Sequence, residues 1–560
     1  MICDDVAYRE DYVDYLIEYN GETETVLDIY KDTGCVNFID ERFAVLYRPK
    51  PDDYMESFSR LEYTLFPKLY GLMDTSSVEA VGAVNVQQEN ILGLTGKNII
   101  IGIIDTGIDI QNPLFQNAVG QTRILAAWDQ SVPGGEQTGE FPGYGTVYTG
   151  DEINEAIRNG TSVLQDENGH GTFLAGIAAG GKTDDFTGVA PEADFAVVKL
   201  KPAKQNLKDF YLVSSNAPVF EEDDLLSAMH FLNETAAAEG KPLVLCLALG
   251  TNQGSHSGTL PVSLTLARYG NTPGVIPVCA TGNEGNASHH YYGSVSETYT
   301  PKNVEFLVSE GNRGFTLELW GQAPQLFSVG FRSPGGETIP RIPVSLNQEQ
   351  RITFVLERTV IYVNYEVVQA TTGSQLILIR MLDPTPGIWT LQVYRAFPSP
   401  PDFHIWLPIT GFSTSDVTFL EPDPYTTLTT PSATVPVLSP STYQAANNSF
   451  SPESGRGFTR LGEIKPDFAA PGVSVTGPGP AGSYVSFSGS SASAAIKSGA
   501  AALFLQWGIQ RTPARYFTAQ EVKNYLIRGA DRTDTITYPS REWGYGRLQL
   551  YQSFTSLMTN

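Results

Sequence analysis

Two hydrophobic patterns alternate along this chain, and one of them interrupts the other. Short, nearly continuous apolar runs recur up to residue 280, as in NIIIGII (98–104) and PLVLCLAL (242–249), with helical stretches between them. Such runs are typical of parallel strands buried on both faces of a sheet. From about residue 297 to residue 428, apolar and polar residues alternate instead, and turns rich in Pro and Gly separate the runs. That pattern predicts an all-β sandwich or jelly roll, inserted into an α/β domain whose own pattern returns after residue 430.

The first 66 residues fit neither pattern. They are dense in charge and carry only short apolar patches, such as CVNFI (35–39) and FAVLY (43–47), which indicates a small α+β unit. A chain of 560 residues is also too long for one ordinary core. We therefore expect an organisation in four segments, of which the second and the fourth together form the α/β domain: 1–66, 67–296, 297–428 and 429–560.

The charge and composition of the chain argue against several functions. A formal net charge of −25 disfavours binding to nucleic acid or to anionic membranes, because both require a basic surface. No stretch approaches the ~20 apolar residues that span a bilayer. The N-terminal residues lack the basic and apolar regions of a secretory signal, so we expect a protein made in the cytoplasm and not exported. Four dispersed cysteines predict neither a disulfide framework nor a zinc site.

Three polar residues stand where predicted elements end or begin. Asp105 follows the run NIIIGII and so lies at the carboxyl end of a buried strand, where open α/β sheets place their sites. His170 lies between two glycines at the start of a small-residue helix, an arrangement that leaves the ring accessible. Ser491 begins an apolar helix, where the helix dipole favours a developing negative charge. Taken singly, each has an ordinary alternative as a turn, cap or packing residue.

Asn283 is a fourth candidate. It follows the strand-like run VIPVCA (275–280) and a glycine, which predicts that its side-chain amide projects from the edge of the sheet. An amide in that position is a second donor for an oxyanion, although a turn Asn is otherwise ordinary. The four candidates occur in the order Asp, His, Asn, Ser, and this order is more informative than any single motif.

The motifs IIDTGID, GHGTFLAGIAAG, ATGNEGN and GSSASAA together resemble those of the subtilisin-like serine proteases. The resemblance implies that Asp105 orients His170, which acts as general base and then as general acid. It implies that Ser491 is the nucleophile and that Asn283 is an oxyanion donor. Ser490 stands where the family usually has Thr. The implied activity is that of a serine endopeptidase that needs no cofactor.

A second resemblance covers almost the whole chain. LYGLMDTSSVEA, SFSPESGRGFTR, KPDFAAPGV and ALFLQWGI are similar to segments of the Csp germination proteases of clostridial spores. Those proteases have the same plan of an N-terminal prodomain, a subtilase domain and an inserted jelly roll. The resemblance implies that the chain removes its own prodomain, is packaged in the spore and activates the precursor of a cortex-lytic enzyme. Its partners would then be that protein substrate and its own prodomain.

The resemblance also implies where a peptide substrate binds. An extended peptide would add a strand against the segment around Ala248, Leu249 and Gly250, and would pass beside Gly282. The pocket for the residue before the scissile bond would lie between these two segments.

For the prodomain, the sequence predicts a cut within its tail. The tail RLEYTLFPKLYG (60–71) contains Pro67, which disfavours cleavage directly before itself because it lacks an N–H group. We therefore expect the cut near Thr64–Leu65.

We expect no required metal ion. Leu114 stands where many subtilases have a calcium-binding Asp. Asp184 and Asp185 lie in the loop after the His170 helix, and a solvated acidic loop is the commoner outcome for such a pair than a cation site. Lys497 lies within the helix that Ser491 begins, where the family often has His, and is expected to reach solvent or a carboxylate.

A non-catalytic alternative remains open at this point. The same family contains pseudoproteases that keep the fold, lack the His or the Ser of the triad, and regulate germination by binding. The presence of Asp105, His170 and Ser491 favours an active enzyme over such a sensor or scaffold.

Overall fold

A small antiparallel sheet forms the N-terminal part of the chain. A computed structural model describes residues 3–55, 61–73, 75–76, 93–134, 143–344, 349–396 and 402–558. The third strand pairs with both others and is therefore central. The elements are β1 (Tyr12–Glu18), α1 (Thr23–Tyr30), β2 (Cys35–Phe38) and β3 (Phe43–Pro49), followed by two short strands, β4 (Leu69–Leu72) and β5 (Thr75–Ser76).

A six-stranded sheet forms the centre of the α/β part. Its order is β13–β11–β6–β9–β7–β8, and all neighbours are parallel except β7 and the edge strand β8. The strands of this region are β6 (Ile100–Asp105), β7 (Ile124–Asp129), β8 (Thr146–Thr149), β9 (Asp194–Lys199), β10 (Val219–Glu221), β11 (Leu243–Leu247), β12 (Leu249–Gly250) and β13 (Val275–Cys279). The helices are α2 (Gly150–Asn159), α3 (His170–Ala179), α4 (Gln205–Tyr211), α5 (Glu222–Glu239) and α6 (Pro261–Gly270).

The described residues between 290 and 419 form eleven strands, arranged in two separate antiparallel sheets with a shared apolar core. We call them the two-sheet unit. One sheet has the order β14–β23–β16–β21–β20–β19, and the other has the order β18–β17–β22–β15–β24. The strands are β14 (His290–Ser294), β15 (Lys302–Val308), β16 (Gly314–Gly321), β17 (Phe327–Arg332), β18 (Thr338–Ile342), β19 (Gln350–Thr353), β20 (Val360–Glu366), β21 (Gln375–Leu382), β22 (Gly387–Arg395), β23 (Asp402–Trp406) and β24 (Val417–Phe419).

The chain then returns to the α/β part. Its remaining strands are β25 (Pro440–Gln444), β26 (Ser449–Phe450), β27 (Phe468–Pro471), β28 (Val475–Pro478) and β29 (Tyr484–Ser488), and its helices are α7 (Ser490–Ile509), α8 (Ala519–Gly529) and α9 (Leu550–Met558). Within the described ranges, no helix is long and apolar enough to cross a membrane.

Both faces of the central sheet are covered, and β6 shows why its sequence is apolar throughout. Ile101 and Ile103 pack into the core that contains α3 and α7, whereas Ile100 and Ile104 pack into the core that contains α5 and α6. A strand buried on both faces has no solvent side, so its sequence does not alternate. This covering leaves the carboxyl ends of the strands as the place where polar side chains meet.

Candidate active site

Asp105 and His170 are brought into direct contact by the central sheet and the helix packed on it. Asp105 is the last residue of β6, and His170 is the first residue of α3. His170 Nδ1 lies 2.8 Å from Asp105 Oδ1 and 2.9 Å from Oδ2. Both side chains are buried, so the accessibility predicted for the His170 ring is not observed. The contact fixes the plane of the imidazole and directs its Nε2 away from the carboxylate.

The start of α3 is held by Asp166, a residue that the sequence argument did not single out. Its Oδ1 accepts hydrogen bonds from Gly169 N (2.9 Å) and Thr106 Oγ1 (2.7 Å), and its Oδ2 accepts one from Thr172 N (2.7 Å). Asp166 thus caps the helix and ties it to the residue after Asp105. An Asp just before the GHG motif is the signal that could have identified it.

The glycine after His170 allows the helix to approach the strand end closely. A Cβ on Gly171 would lie 2.2 Å from the carbonyl oxygen of Gly107 and 3.2 Å from the Cβ of Asp105. Any side chain at this position would push α3 away from β6. The spacing between Asp105 and His170 therefore depends on a glycine here.

Two adjacent serines at the start of α7 have different partners. Ser490 Oγ accepts a hydrogen bond from Gly282 N (2.9 Å), and Ser490 N donates to Asn283 Oδ1 (3.0 Å). These bonds join the loop after β13 to the start of the helix. Because Oδ1 of Asn283 accepts this hydrogen bond, Nδ2 is the atom of the amide that can donate one.

Ser491 instead contacts the chain's own N-terminal tail. Its hydroxyl donates to the carbonyl oxygen of Met73, and its N–H group lies 3.2 Å from the same oxygen. The two groups of Ser491 therefore meet at the carbonyl of one peptide bond, the bond that joins Met73 to Asp74. Asp74 itself lies outside the described residues.

The tail reaches Ser491 as an added strand. β4 lies between β10 and β12 and is antiparallel to both. Leu72 pairs with Leu249 and Gly71 pairs with Gly250, so two of the residues proposed to bind substrate line this strand. Ala248 is buried directly before β12. An extended peptide added to a sheet edge in this way is a common mode of peptide recognition.

The chain continues past Ser491 on the other side. β5 pairs with β29, with Thr75 opposite Ser488 and Ser76 opposite Phe487. Backbone pairing thus holds the chain both before and after the Met73–Asp74 bond.

The structure does not bring the Thr64–Leu65 bond to Ser491. That bond lies in a 3₁₀ turn, Tyr63–Leu65, in which Tyr63 is buried and its hydroxyl donates to Glu318 Oε1 (2.7 Å). Sequence preference around Pro67 could not reveal this, because the position of the tail depends on strand pairing with distant residues.

Lys497 also differs from the expectation. It neither reaches solvent nor meets a carboxylate at hydrogen-bonding distance: its side chain is fully buried, and among the described residues its Nζ has no hydrogen-bond partner. The ammonium lies 3.8 Å from the centre of the Phe468 ring. Burial lowers the pKa of Lys497 well below its usual value, although Asp467 opposes the shift.

Among the described residues, one group of acidic side chains is close enough to share a cation. Ligand atoms of Asp14, Glu221 and Asp223 all lie within 4.8 Å of one another and are buried. Positive charge is already present, because Lys204 Nζ lies 2.5 Å from Asp14 Oδ1. Burial raises the pKa of Asp14 to about 7 despite this pairing. Leu114 is buried, and Asp184 and Asp185 are exposed.

Comparison with known proteins identifies the class of protein that this fold and site belong to. A profile of the Subtilase family of serine peptidases matches residues 96–546, so the match includes Asp105, His170, Asn283 and Ser491. The chain belongs to the Subtilase family. The resemblance inferred from the motifs is thereby confirmed.

Two relatives describe the similarity more closely. The structure of the CspB protease of Clostridium perfringens matches with a TM-score of 0.74 and 30% identity, over 85% of this chain and 95% of that one. The major intracellular serine protease of Bacillus subtilis (strain 168) is 22% identical over 274 residues, which is 49% of this chain and 69% of that protein. The structural match thus extends well beyond the part shared with the Bacillus protein.

Proposed function

We propose that this protein is a serine endopeptidase that cleaves its own chain after Met73 and then acts on another protein. The observation that carries the proposal is the contact of both the hydroxyl and the N–H group of Ser491 with the Met73 carbonyl. Met73 directly follows β4, the strand that lies between β10 and β12 as a bound substrate would.

The reaction assigns one task to each side chain. Ser491 Oγ attacks the Met73 carbonyl carbon while His170 Nε2 takes the hydroxyl proton, and Asp105 holds the protonated imidazole through Nδ1. The N–H of Ser491 and the Nδ2 of Asn283 stabilise the oxyanion. His170 then gives the proton to the amine of Asp74, the C–N bond breaks, and water hydrolyses the acyl-enzyme by the same steps in reverse.

In this proposal the residues up to Met73 are the prodomain and the two-sheet unit is the inserted jelly roll. Glu318 of the two-sheet unit supports this organisation, since its oxygens accept hydrogen bonds from Tyr63 of the tail and from Gly254 N of the α/β part. One buried carboxylate thus links the three parts. The later substrate that fits the resemblance to germination proteases is the precursor of a spore cortex-lytic enzyme.

Fragment analysis of the purified protein tests the proposal. We expect the wild-type chain to run as two fragments, with Asp74 at the N-terminus of the larger one, and Ser491→Ala to remain one full-length chain. In subtilisin itself, removal of the nucleophile lowers kcat by about 10⁶, and we take that scale for Ser491→Ala. Mass spectrometry and N-terminal sequencing would identify the bond.

Ser493→Ala is the matched control. Ser493 lies on the same helix and is equally buried, but its hydroxyl bonds to the carbonyls of Ala470 and Pro471 and not to Met73. This variant should still be cleaved. Cleavage of pure Ser491→Ala at the same bond would show that another protease processes the chain. No cleavage of wild type, with no labelling of Ser491 by a fluorophosphonate, would favour the non-catalytic sensor.

A further inference from the structure

The two-sheet unit binds a tyrosine of the tail, ten residues before Met73. Tyr63 is fully buried, and its hydroxyl donates to Glu318 Oε1 of β16 (2.7 Å). Its ring meets the ring of Trp320 edge-on, with ring centres 6.0 Å apart, and its N–H donates to Glu366 Oε2 of β20 (3.3 Å). One sheet of the two-sheet unit therefore satisfies both the apolar ring and the polar hydroxyl of this residue.

The carboxylate that binds Tyr63 also holds the loop after β12. Glu318 Oε2 accepts hydrogen bonds from Trp320 Nε1 (3.0 Å) and from Gly254 N (2.9 Å). The residue before Gly254 is Gln253, whose Oε1 accepts a hydrogen bond from Leu69 N (2.9 Å) at the start of β4. The tyrosine site and the start of the substrate-like strand are thus joined through one loop.

The segment between Tyr63 and β4 is held by Lys68, which is fully buried. Lys68 Nζ donates to the carbonyl oxygens of Tyr63 (2.8 Å) and Phe66, and it lies 4.0 Å from the centre of the Tyr63 ring. The N–H of Lys68 donates to Glu222 Oε2 of α5 (3.1 Å). These contacts give the segment one compact arrangement, so the place at which Tyr63 binds determines where β4 begins.

We propose that the two-sheet unit selects the bond that is cut, by binding the hydroxyl of a tyrosine ten residues before the residue whose carbonyl meets Ser491. The inference rests on the proposed peptidase activity and names its substrate class: a protein segment long enough to carry a tyrosine at that spacing. Tyr63 and Glu318 act as positioning residues and take no part in proton transfer.

A slip of the tail by one residue would break the contact with Glu318. One strand residue spans about 3.4 Å, so such a slip would carry the Tyr63 hydroxyl out of hydrogen-bonding range. The buried carboxylate would then lose a partner that water does not replace. Backbone pairing of β4 by itself does not discriminate between registers in this way, because successive residues offer the same N–H and C=O groups.

The rate of self-cleavage of the full-length chain, followed as a pulse-chase during cell-free synthesis, provides the first test. We expect Tyr63→Phe to be cleaved about tenfold more slowly than wild type, because one hydrogen bond to a charged group is lost. The matched control is Tyr365→Phe. Tyr365 is also buried, but its hydroxyl donates to Ile342 O (3.0 Å) and accepts from Val329 N (3.2 Å), both in the two-sheet unit. It should be cleaved at the wild-type rate, and thermal unfolding in the Ser491→Ala background would show whether the two variants lose comparable stability.

The position of the cut is a readout that a purely structural role would not change. When one glycine is inserted between Thr64 and Leu65, Leu72 becomes the tenth residue after Tyr63. We expect this lengthened chain to be cleaved after Leu72 as well as after Met73, and after Met73 alone once Tyr63→Phe is added. N-terminal sequencing of the larger fragment distinguishes the two bonds.

Three results would overturn this inference and leave the peptidase activity standing. They are a wild-type rate in Tyr63→Phe, equal slowing in Tyr63→Phe and Tyr365→Phe, and a cut after Met73 alone in both lengthened chains. Full-length chains in wild type and in every variant, with no fluorophosphonate labelling of Ser491, would overturn the activity itself and the inference with it.

Discussion

Lys497 lies in the middle of α7 with its ammonium buried against the Phe468 ring. A cation over an aromatic face gains some attraction, but a desolvated amine without a hydrogen-bond partner costs more than that contact returns. Nearby Asp467 is already paired with Lys465 and Lys523. The lowered pKa of Lys497 reflects this environment.

Replacement of Lys497 by methionine should therefore stabilise the protein, by about 1–3 kcal/mol, since it removes the unpaired polar group and keeps the volume. The lysine binds fewer protons in the folded than in the unfolded state, so its cost is absent at high pH and grows as pH falls below its usual pKa. Thermal unfolding with and without Lys497→Met in the Ser491→Ala background, from pH 10 to pH 7, would measure the stabilisation and its dependence on pH. An unchanged or lower melting temperature at pH 7 would contradict the prediction.

Helix α3 shows how an element is positioned by its cap. Small residues let it pack closely on β6, and Asp166 satisfies the N–H groups of Gly169 and Thr172 at its start. Because His170 is the first residue of the helix, a change in the cap alters the position of the imidazole directly.

Asp166→Ala should lower stability by about 1–3 kcal/mol, through lost capping and buried N–H groups left unpaired. It should also slow self-cleavage, because His170 loses part of its support. The matched control is Asp184→Ala, which removes an exposed carboxylate from the loop after the same helix and should change neither property. Thermal unfolding in the Ser491→Ala background and the cleavage rate with Ser491 present are the two measurements. Normal cleavage in a destabilised Asp166→Ala chain would limit Asp166 to a purely structural role.

At the scale of the whole molecule, a cluster of aromatic rings joins the two-sheet unit to the α/β part. His256 stacks on Trp406 with ring centres 4.0 Å apart, and His290 also stacks on Trp406 with ring centres 4.9 Å apart. His290 Nε2 lies 2.9 Å from His404 Nδ1. Burial lowers the pKa of both His256 and His290 to about 4, and it also lowers the pKa of His404 well below its usual value.

Stability should therefore fall on acidification. A histidine with a folded pKa near 4 and an unfolded pKa near 6.5 binds more protons when unfolded, so stability is complete above about pH 6.5 and is lost as pH falls toward 4. Each of His256 and His290 contributes a loss of about 2 kcal/mol at pH 5. The neighbouring His289 opposes this trend, since Glu284 outweighs burial and raises its pKa.

Melting temperatures of Ser491→Ala between pH 7 and pH 5 would measure this dependence, and the additional change His404→Phe should make it shallower because one titrating ring is removed. A melting temperature that stays constant over this range would show that the histidines of this cluster do not make the stability depend on pH.

Local pattern predicted the parallel sheet and the separate antiparallel sheets, and it led to the residues proposed for the candidate site. Continuous apolar runs indicated the sheet that is covered on both faces, and alternating runs indicated the antiparallel sheets. Both patterns can be read from the sequence because the burial of each face of a strand determines which of its residues are apolar. The order of the Asp, His, Asn and Ser motifs led to the subtilase family, which the comparisons confirm. Each of these inferences depends on residues that are close together along the chain.

Only the tertiary structure decided which atoms meet. The contact of Met73 with Ser491 joins residues that are distant in sequence, and the unpaired burial of Lys497 depends on what packs around it. The expected bond at Thr64–Leu65 precedes β4, whose strand pairing ends at Leu72 and so places Met73 next to Ser491. No local propensity encodes such a register, because it is set by backbone hydrogen bonds and shape between segments that the fold alone brings together.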